Sequence, residues 1–184
     1  MQAASCKSTG HFPAGYLRGK RILPGMQESV SIQGLKGKVT ILRGDRQLVK
    51  RLCMSLSLKL QEFSHPIFID SGNAFNPYMI QKMTRDPKAA LNNILISRPF
   101  TIHQLKTLVC NLPDLCESRK VVIISSIDHL FRDADMREGE FVLEEIMAEL
   151  QFLTRKFDLI TIVGYTGGIH FSLIENYVDV AYTI

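Results

Sequence analysis

The stretch that decides the fold runs from residue 38 to residue 60 and reads Lys38-Val-Thr-Ile-Leu-Arg-Gly-Asp-Arg-Gln-Leu-Val-Lys-Arg-Leu-Cys-Met-Ser-Leu-Ser-Leu-Lys-Leu60. Its first five residues, 38–42, predict a short apolar strand. A polar turn around Gly44 follows, and from Leu48 to Leu60 apolar residues recur at helical spacing. A strand, a turn and a helix in this order form the repeating unit of α/β proteins with parallel sheets.

The same alternation continues along the rest of the chain. The pattern predicts further strands at 66–69, 93–97, 120–125, 158–163 and 177–184, and helices at 78–83, 101–111 and 139–157. Pro113 is expected to end the helix before it, and the strand at 120–125 is apolar enough to be buried on both faces. We therefore predict an α/β fold whose central sheet is mainly parallel, is flanked by helices and has an edge strand at 177–184. Ligands of such sheets bind at the carboxyl ends of the strands.

Length and composition predict one compact soluble domain. The chain has 184 residues, of which 46% are hydrophobic and 22% charged. Its longest apolar runs are far shorter than the ~20 residues of a membrane helix, and no signal peptide opens the chain, so we expect neither a membrane span nor secretion. Residues 1–28 contain several glycines and prolines and are expected to form an irregular N-terminal arm, with the core domain at 29–184.

The four cysteines predict reduced thiols. Cys6, Cys53, Cys110 and Cys116 contain no C-x-x-C pair, so neither a disulfide nor a metal site is expected, and a cytoplasmic location fits best. No Ser/His/Asp or metal-ligand spacing is present, and we interpret the isolated His103 and His129 as structural or surface residues.

Positive charge is concentrated in the first third of the chain. Residues 1–60 hold 11 Lys and Arg against 2 Asp and Glu, although the whole chain is only +4. Such a region could face a phosphate ligand or nucleic acid, or could be an ordinary solvated surface. The candidate nucleic-acid contacts are Arg18, Lys20, Arg21, Lys36 and Lys38.

The turn after the first strand keeps part of a phosphate-binding loop. Gly44 and Lys50 have the spacing of that loop, but Val49 and Arg51 stand where it needs a second glycine and a Ser or Thr that binds magnesium. The sequence leaves two interpretations open. Lys50 is either a solvated helical lysine or, with Arg46 and Arg51, part of a metal-free site for a phosphate such as that of ATP or ADP.

Three segments resemble the RecA-type recombinase superfamily, in the branch of archaeal RadA and the eukaryotic recombinases with their paralogues. The resemblance covers roughly residues 30–184 and implies a RecA-like P-loop NTPase core without room for an additional N-terminal helical domain. The segments that carry it are Phe68-Ile-Asp-Ser-Gly-Asn-Ala-Phe-Asn-Pro77, Asn93-Ile-Leu-Ile-Ser-Arg-Pro-Phe100 followed by His103-Gln104, and Val121-Val-Ile-Ile-Ser-Ser126 followed by Leu130-Phe-Arg132.

The resemblance also implies a loss of catalytic groups. The family's catalytic glutamate falls on Gly72, and the aspartate of its magnesium-site strand falls on Ser125. Because phosphoryl transfer depends on positioning and charge stabilisation, we expect no catalytic residues and no ATP turnover. Asp70 and Asp128 are offset from the lost positions; either could substitute for a lost acidic group, but we interpret them as capping or solvent-facing carboxylates.

The leading hypothesis is a non-catalytic, recombinase-paralogue-like accessory protein of DNA recombination and repair. It would act through a recombinase-like ATPase, a repair protein or further copies of itself. One alternative is an ATPase with a rearranged nucleotide site, and another is a nucleic-acid-binding module that uses the basic first third. The predicted helix 139–157 adds an acidic strip that is either solvated or a docking face for a basic partner, formed by Glu140, Glu144, Glu145 and Glu149.

Overall fold

A computed structural model describes residues 32–132, 134–168 and 171–184. Its sheet has six strands in the order β3-β2-β4-β5-β1-β6, and every pairing in it is parallel. The prediction of an α/β fold with a parallel sheet is therefore confirmed. The strands are β1 Lys38–Arg43, β2 Ile67–Ile69, β3 Leu95–Ser97, β4 Val121–Ile124, β5 Ile160–Tyr165 and β6 Val180–Thr183.

Helices cover both faces of the sheet. They are α1 Arg46–Lys59, α2 Pro77–Met83, α3 Pro87–Asn93, α4 Ile102–Cys110, α5 Pro113–Cys116, α6 Met136–Lys156 and α7 Phe171–Glu175, with 3-10 turns at Ile32–Leu35, Leu60–Glu62 and Ile127–Phe131. Alternate strand residues enter two separate cores, because successive side chains of a strand point to opposite faces. Ile124 joins the core under α4 and α6, whereas its neighbour Ile123 joins the core under α1.

The centre and the edges of the sheet match the sequence pattern. All four residues of β4 are buried, as predicted for a strand covered on both faces. β6 pairs with β1 alone and forms one edge, as predicted, and β3 forms the other edge. All strands run in the same direction, so their carboxyl ends lie along one side of the sheet.

Several predicted boundaries were wrong for local reasons. α4 ends at Cys110, before Pro113 as predicted, but Pro113 then begins the short helix α5, which the pattern did not predict, since proline is tolerated in the first turn of a helix. The fifth strand starts at Ile160, because Asp158 has a φ of 53° and separates the strand from α6. α6 starts at Met136, three residues earlier than predicted, since the Asp135 side chain caps it.

Candidate functional site

The connection from β1 to α1, where the phosphate loop is predicted, contains only Gly44 and Asp45. The Asp45 carboxylate accepts hydrogen bonds from the backbone N–H groups of Gln47, at 2.8 Å, and Leu48, at 3.1 Å. The N–H of Val49 donates to the carbonyl oxygen of Asp45 at 2.9 Å, which closes the first helical turn. Three amides at this helix start, those of residues 47–49, are thus occupied, and the carboxylate places negative charge beside them.

Gly44 lies against the residue that follows the edge strand. A Cβ at Gly44 would collide with the carbonyl oxygen of Ile184. The Ile184 N–H donates to the carbonyl oxygen of Arg43 at 2.8 Å and so fixes that approach. In this fold the missing side chain at Gly44 admits Ile184.

Val49 packs inward. Its side chain is fully buried, and a Cβ added to Gly164 on β5 would lie 2.9 Å from Val49 Cγ1. The valine in the place of the second loop glycine thus fixes the distance between α1 and β5.

Lys50 lies half-buried one turn after Arg46, and its Nζ donates a hydrogen bond to the carbonyl oxygen of Asn73 at 3.1 Å. Burial is the main cause that lowers the pKa of Lys50, and the charge of Arg46 lowers it further while that of Asp70 opposes both. His129 belongs to the same electropositive region. Burial and then the charges of Arg46, Arg132 and Lys50 lower its pKa, and its buried Nδ1 has no hydrogen-bond partner among the residues that the structure describes.

Asp70 organises the turn after β2. Its buried carboxylate accepts hydrogen bonds from the N–H of Ala74 at 2.6 Å and of Phe75 at 3.2 Å, and the Arg98 guanidinium lies 2.7 Å from it. Ser125 Oγ donates to Asp70 Oδ1 at 3.1 Å. Asp70 therefore bonds the amides of this turn, whereas the Asn76 side chain caps α2, and a solvent-facing position is wrong for Asp70.

The Asp128 carboxylate is also buried and bonded to neighbouring residues. Asp128 is 3% exposed and accepts hydrogen bonds from the Thr166 N–H at 2.9 Å and from the Thr166 hydroxyl. Arg132 lies 3.3 Å from its second oxygen. Asp128 thus joins the 3-10 turn after β4 to the end of β5, and a solvent-facing position is wrong for it too.

The residue in the place of the catalytic glutamate has no space for a side chain. A Cβ on Gly72 would lie 2.5 Å from Ser126 Cβ and 2.7 Å from Ser126 Oγ. The Gly72 N–H donates to Ser125 Oγ at 3.2 Å, which holds the two turns together. Gly72 therefore allows the turn after β2 to pack directly on the turn after β4.

The residues of this site do not fit a magnesium nucleotide. Arg51 is exposed and cationic where a hydroxyl ligand would be needed, and the hydroxyl of Ser125 is engaged by Asp70 and by the backbone at residue 72. Within 32–132, 134–168 and 171–184, no group of three or more His, Cys, Asp or Glu could hold a metal ion.

The structure places the predicted basic residues at two ends of the sheet. Arg46 and Lys50 lie on one side of α1 at the carboxyl end, and Arg51 follows them on the exposed surface of the helix. Lys36 and Lys38 lie at the opposite end, where β1 begins. Arg18, Lys20 and Arg21 lie outside the described residues, as does the predicted arm 1–28.

Sequence reasoning missed three of the contacts that shape this site. Asp45 carried a usable signal, since an aspartate directly before a helical pattern is a typical cap. The contact of Ser125 with Asp70 spans 55 residues, and Ile184 reaches Gly44 only through the pairing of β6 with β1. No local pattern encodes either contact.

The sheet is parallel, has helices on both faces and carries a strand-Gly-helix-Lys unit at its carboxyl edge. These features define a RecA-like core of the P-loop NTPase class. The family model Rad51 matches residues 12–166. The chain belongs to the Rad51 family, and the predicted RecA-type resemblance is confirmed. A search of the curated proteins finds no match.

Membership of this family supports a role related to DNA recombination and repair in general. Proteins of the family work in oligomers or with protein and DNA partners. No helix in the described part of the chain is long and apolar enough to cross a membrane.

Proposed function

We propose that this chain is a non-catalytic member of its family, which acts in recombination or repair through a protein partner. The observation that carries the proposal is the crowded position of Gly72. No side chain at position 72 can position the water molecule that attacks a phosphate, because Ser126 fills the space that this side chain would need. Phosphoryl transfer loses its water-positioning group at that point.

Two further features support the same proposal. The Asp45 cap engages the amides of Gln47 and Leu48 at the helix start, and neither Arg51 nor Ser125 offers a carboxylate or free hydroxyl to a magnesium ion. A fold without its catalytic groups still has the outer surfaces through which family members assemble. We include a cytoplasmic location in the proposal, because reduced thiols are typical of the cytoplasm. The free thiols that support it are Cys53, Cys110 and Cys116.

Phosphate release from ATP with magnesium tests this function, with an active recombinase of the family as the positive control. We expect no turnover above the protein-free background. Turnover that disappears in Lys50→Ala but persists in Lys59→Ala, an exposed lysine on the same helix, would overturn the proposal. The matched pair separates activity of this chain from a contaminating ATPase.

A second candidate function is the binding of a phosphate group without metal. Arg46 forms no ion pair with the rest of the described chain, and it lies with Lys50 and His129 at the carboxyl edge. Calorimetric titration with ATP or ADP in EDTA tests it. Heat that is lost in Lys50→Ala and kept in Lys59→Ala supports this candidate, whereas no heat in the unmodified chain excludes it.

Nucleic-acid binding through Arg18, Lys20, Arg21, Lys36 and Lys38 stays a separate proposal, supported by the basic charge of the first third. A gel shift repeated at rising salt tests it, because bound phosphates release counterions and affinity must fall steeply with salt. A shift that does not respond to salt would contradict binding through these charges.

A further inference from the structure

The outer face of α6 exposes two phenylalanines in line. Phe141 is 62% exposed and Phe152 is 55% exposed. They are 11 residues apart, which is about three helical turns, so they lie on the same side of α6 and about 16 Å apart along its axis. Ala148, which is also exposed, lies between them. We name Phe141, Ala148 and Phe152 the α6 outer stripe.

The core of the protein does not use this stripe, although Lys156 at the end of α6 places its ammonium 5.4 Å from the centre of the Phe152 ring. α6 packs against the sheet and α4 through its other side, with Leu143, Ile146, Met147 and Leu150 buried. Single exposed apolar residues are ordinary on protein surfaces. Two phenylalanines aligned on the side that faces away from the core form instead the kind of apolar ridge that a partner can cover.

Glutamates flank the stripe along the first two thirds of α6. Residues 136–149 contain five Glu against one Arg. Three of these glutamates meet polar groups of neighbouring elements: Glu138 lies 3.1 Å from His103, Glu145 lies 2.7 Å from Lys106, and Glu144 accepts a hydrogen bond from the Tyr177 hydroxyl. Glu149 is half-buried beside them. Negative charge thus remains in excess around Phe141.

We infer that the α6 outer stripe docks a protein partner whose contact segment is basic and carries apolar side chains. Lys or Arg of that segment pair with the glutamates, and a guanidinium can also stack on the Phe141 ring. Its apolar side chains cover Phe141 and Phe152, which removes their rings from water. The inference names the surface of the partner interaction proposed above and rests on that proposed function.

Site-specific photo-crosslinking in the native cells locates the occupant. The full chain carries p-benzoylphenylalanine in place of Phe141, and the control carries it in place of Tyr78. Tyr78 is 73% exposed and belongs to α2, whose buried Ile80 joins the core on the opposite face of the sheet. The crosslinked peptide is sequenced by mass spectrometry, so that both its source and its charge are known.

A synthetic peptide of the captured segment then gives the affinity by fluorescence anisotropy. We expect Phe141→Ser to weaken binding about 30-fold or more, as for a central aromatic anchor, and Tyr78→Ser to leave it within about twofold. Glu144→Gln with Glu149→Gln should weaken binding at low salt and flatten its salt dependence. Circular dichroism checks that each variant keeps the fold.

A crosslink from position 141 to a basic segment of another protein, followed by this pattern of affinities, supports the inference. It is overturned by a segment that belongs to a second copy of the chain, by a segment that is not basic, by the absence of a crosslink at 141, or by unchanged binding of Phe141→Ser. A crosslink at position 78 alone is compatible with the proposed partner role but excludes the α6 outer stripe as the docking surface. ATP turnover would contradict the proposed function without affecting the crosslink.

Discussion

Replacing Gly72 with alanine should destabilise the protein although it adds a single methyl group. The new Cβ would lie 2.5 Å from Ser126 Cβ, a separation that real Cβ atoms essentially never show. Gly72 is not among the glycines with positive φ, so backbone strain does not contribute, and the lower conformational entropy of alanine in the unfolded chain works against the destabilisation. Overpacking of this kind lowers the free energy of unfolding by about 1–3 kcal/mol.

The size of the effect can be checked by urea unfolding and by thermal melting. For a chain of this length each kcal/mol corresponds to about 2–4 °C in Tm, so Gly72→Ala should melt about 2–12 °C lower. Gly139→Ala is the matched control. Its Cβ would meet only Ala134 and Phe131, at 3.5 and 3.7 Å, and it lies within α6. The same substitution there should raise stability by up to about 1 kcal/mol.

A double-mutant cycle identifies Ser126 as the cause. Ser126→Gly removes the crowding atoms, so Gly72→Ala should cost less in that background than in the natural one. Ser126→Ala keeps its Cβ and should give little relief. If Gly72→Ala is as stable as the natural chain, or if its cost is the same in the Ser126→Gly background, the packing argument for the closed glutamate position is refuted.

Three other predictions address the buried ionisable groups. Asp70→Ala should lower the free energy of unfolding by about 3 kcal/mol in urea, because it leaves the Arg98 guanidinium, the buried N–H of Ala74 and the partly buried N–H of Phe75 without their acceptor; a loss below 1 kcal/mol would contradict the bonding described for this turn. Burial raises the pKa of Cys53 to about 12, so a thiol reagent at pH 8, with the labelled sites mapped by mass spectrometry, should modify the exposed Cys110 and reach Cys53 only on unfolding. The pKa of His129 is lowered by burial, so the unfolded chain binds the proton more tightly and stability should fall as pH drops through the unfolded value of about 6.5 toward the folded pKa; His129→Gln should flatten that part of the stability curve, and an unchanged slope would contradict the assignment.

The sequence predicted the elements whose apolar pattern is long or strongly one-sided. β4 is apolar throughout and fully buried, and α6 has an inner row of apolar residues over about three turns. Such patterns leave only one way to bury the apolar side chains. The short helices α3 and α7, with seven and five residues, escaped because neither is long enough to show a period, whereas the equally short α2 was predicted because Pro77 marks its start.

The candidate site was predictable only in part. The substitution at Gly72 was visible because segment 68–77 matches the family without a gap, and that at Ser125 because the strand before it resembles the family's magnesium-site strand. That Gly72 is closed by Ser126 was not visible, since the contact depends on how two turns from separate strands pack. The burial of Asp70 escaped for the same reason, because its partner Arg98 follows the neighbouring strand β3. Pairwise contacts between loops follow from the sheet order, which local patterns do not encode.

α1 starts at Arg46, directly after its cap Asp45. Any ligand that binds the backbone amides of this turn must therefore unfold the first turn of the helix. A phosphate that used the amides of residues 47–49 would first have to displace the Asp45 cap and break the bond from the Val49 N–H to the Asp45 carbonyl oxygen. Losing a cap and one helical hydrogen bond costs about 2 kcal/mol together. The competent conformation would then be populated at only a few per cent, which weakens apparent affinity about 30-fold. Helix formation and phosphate binding compete for the same backbone groups, and in the resting protein the helix holds them.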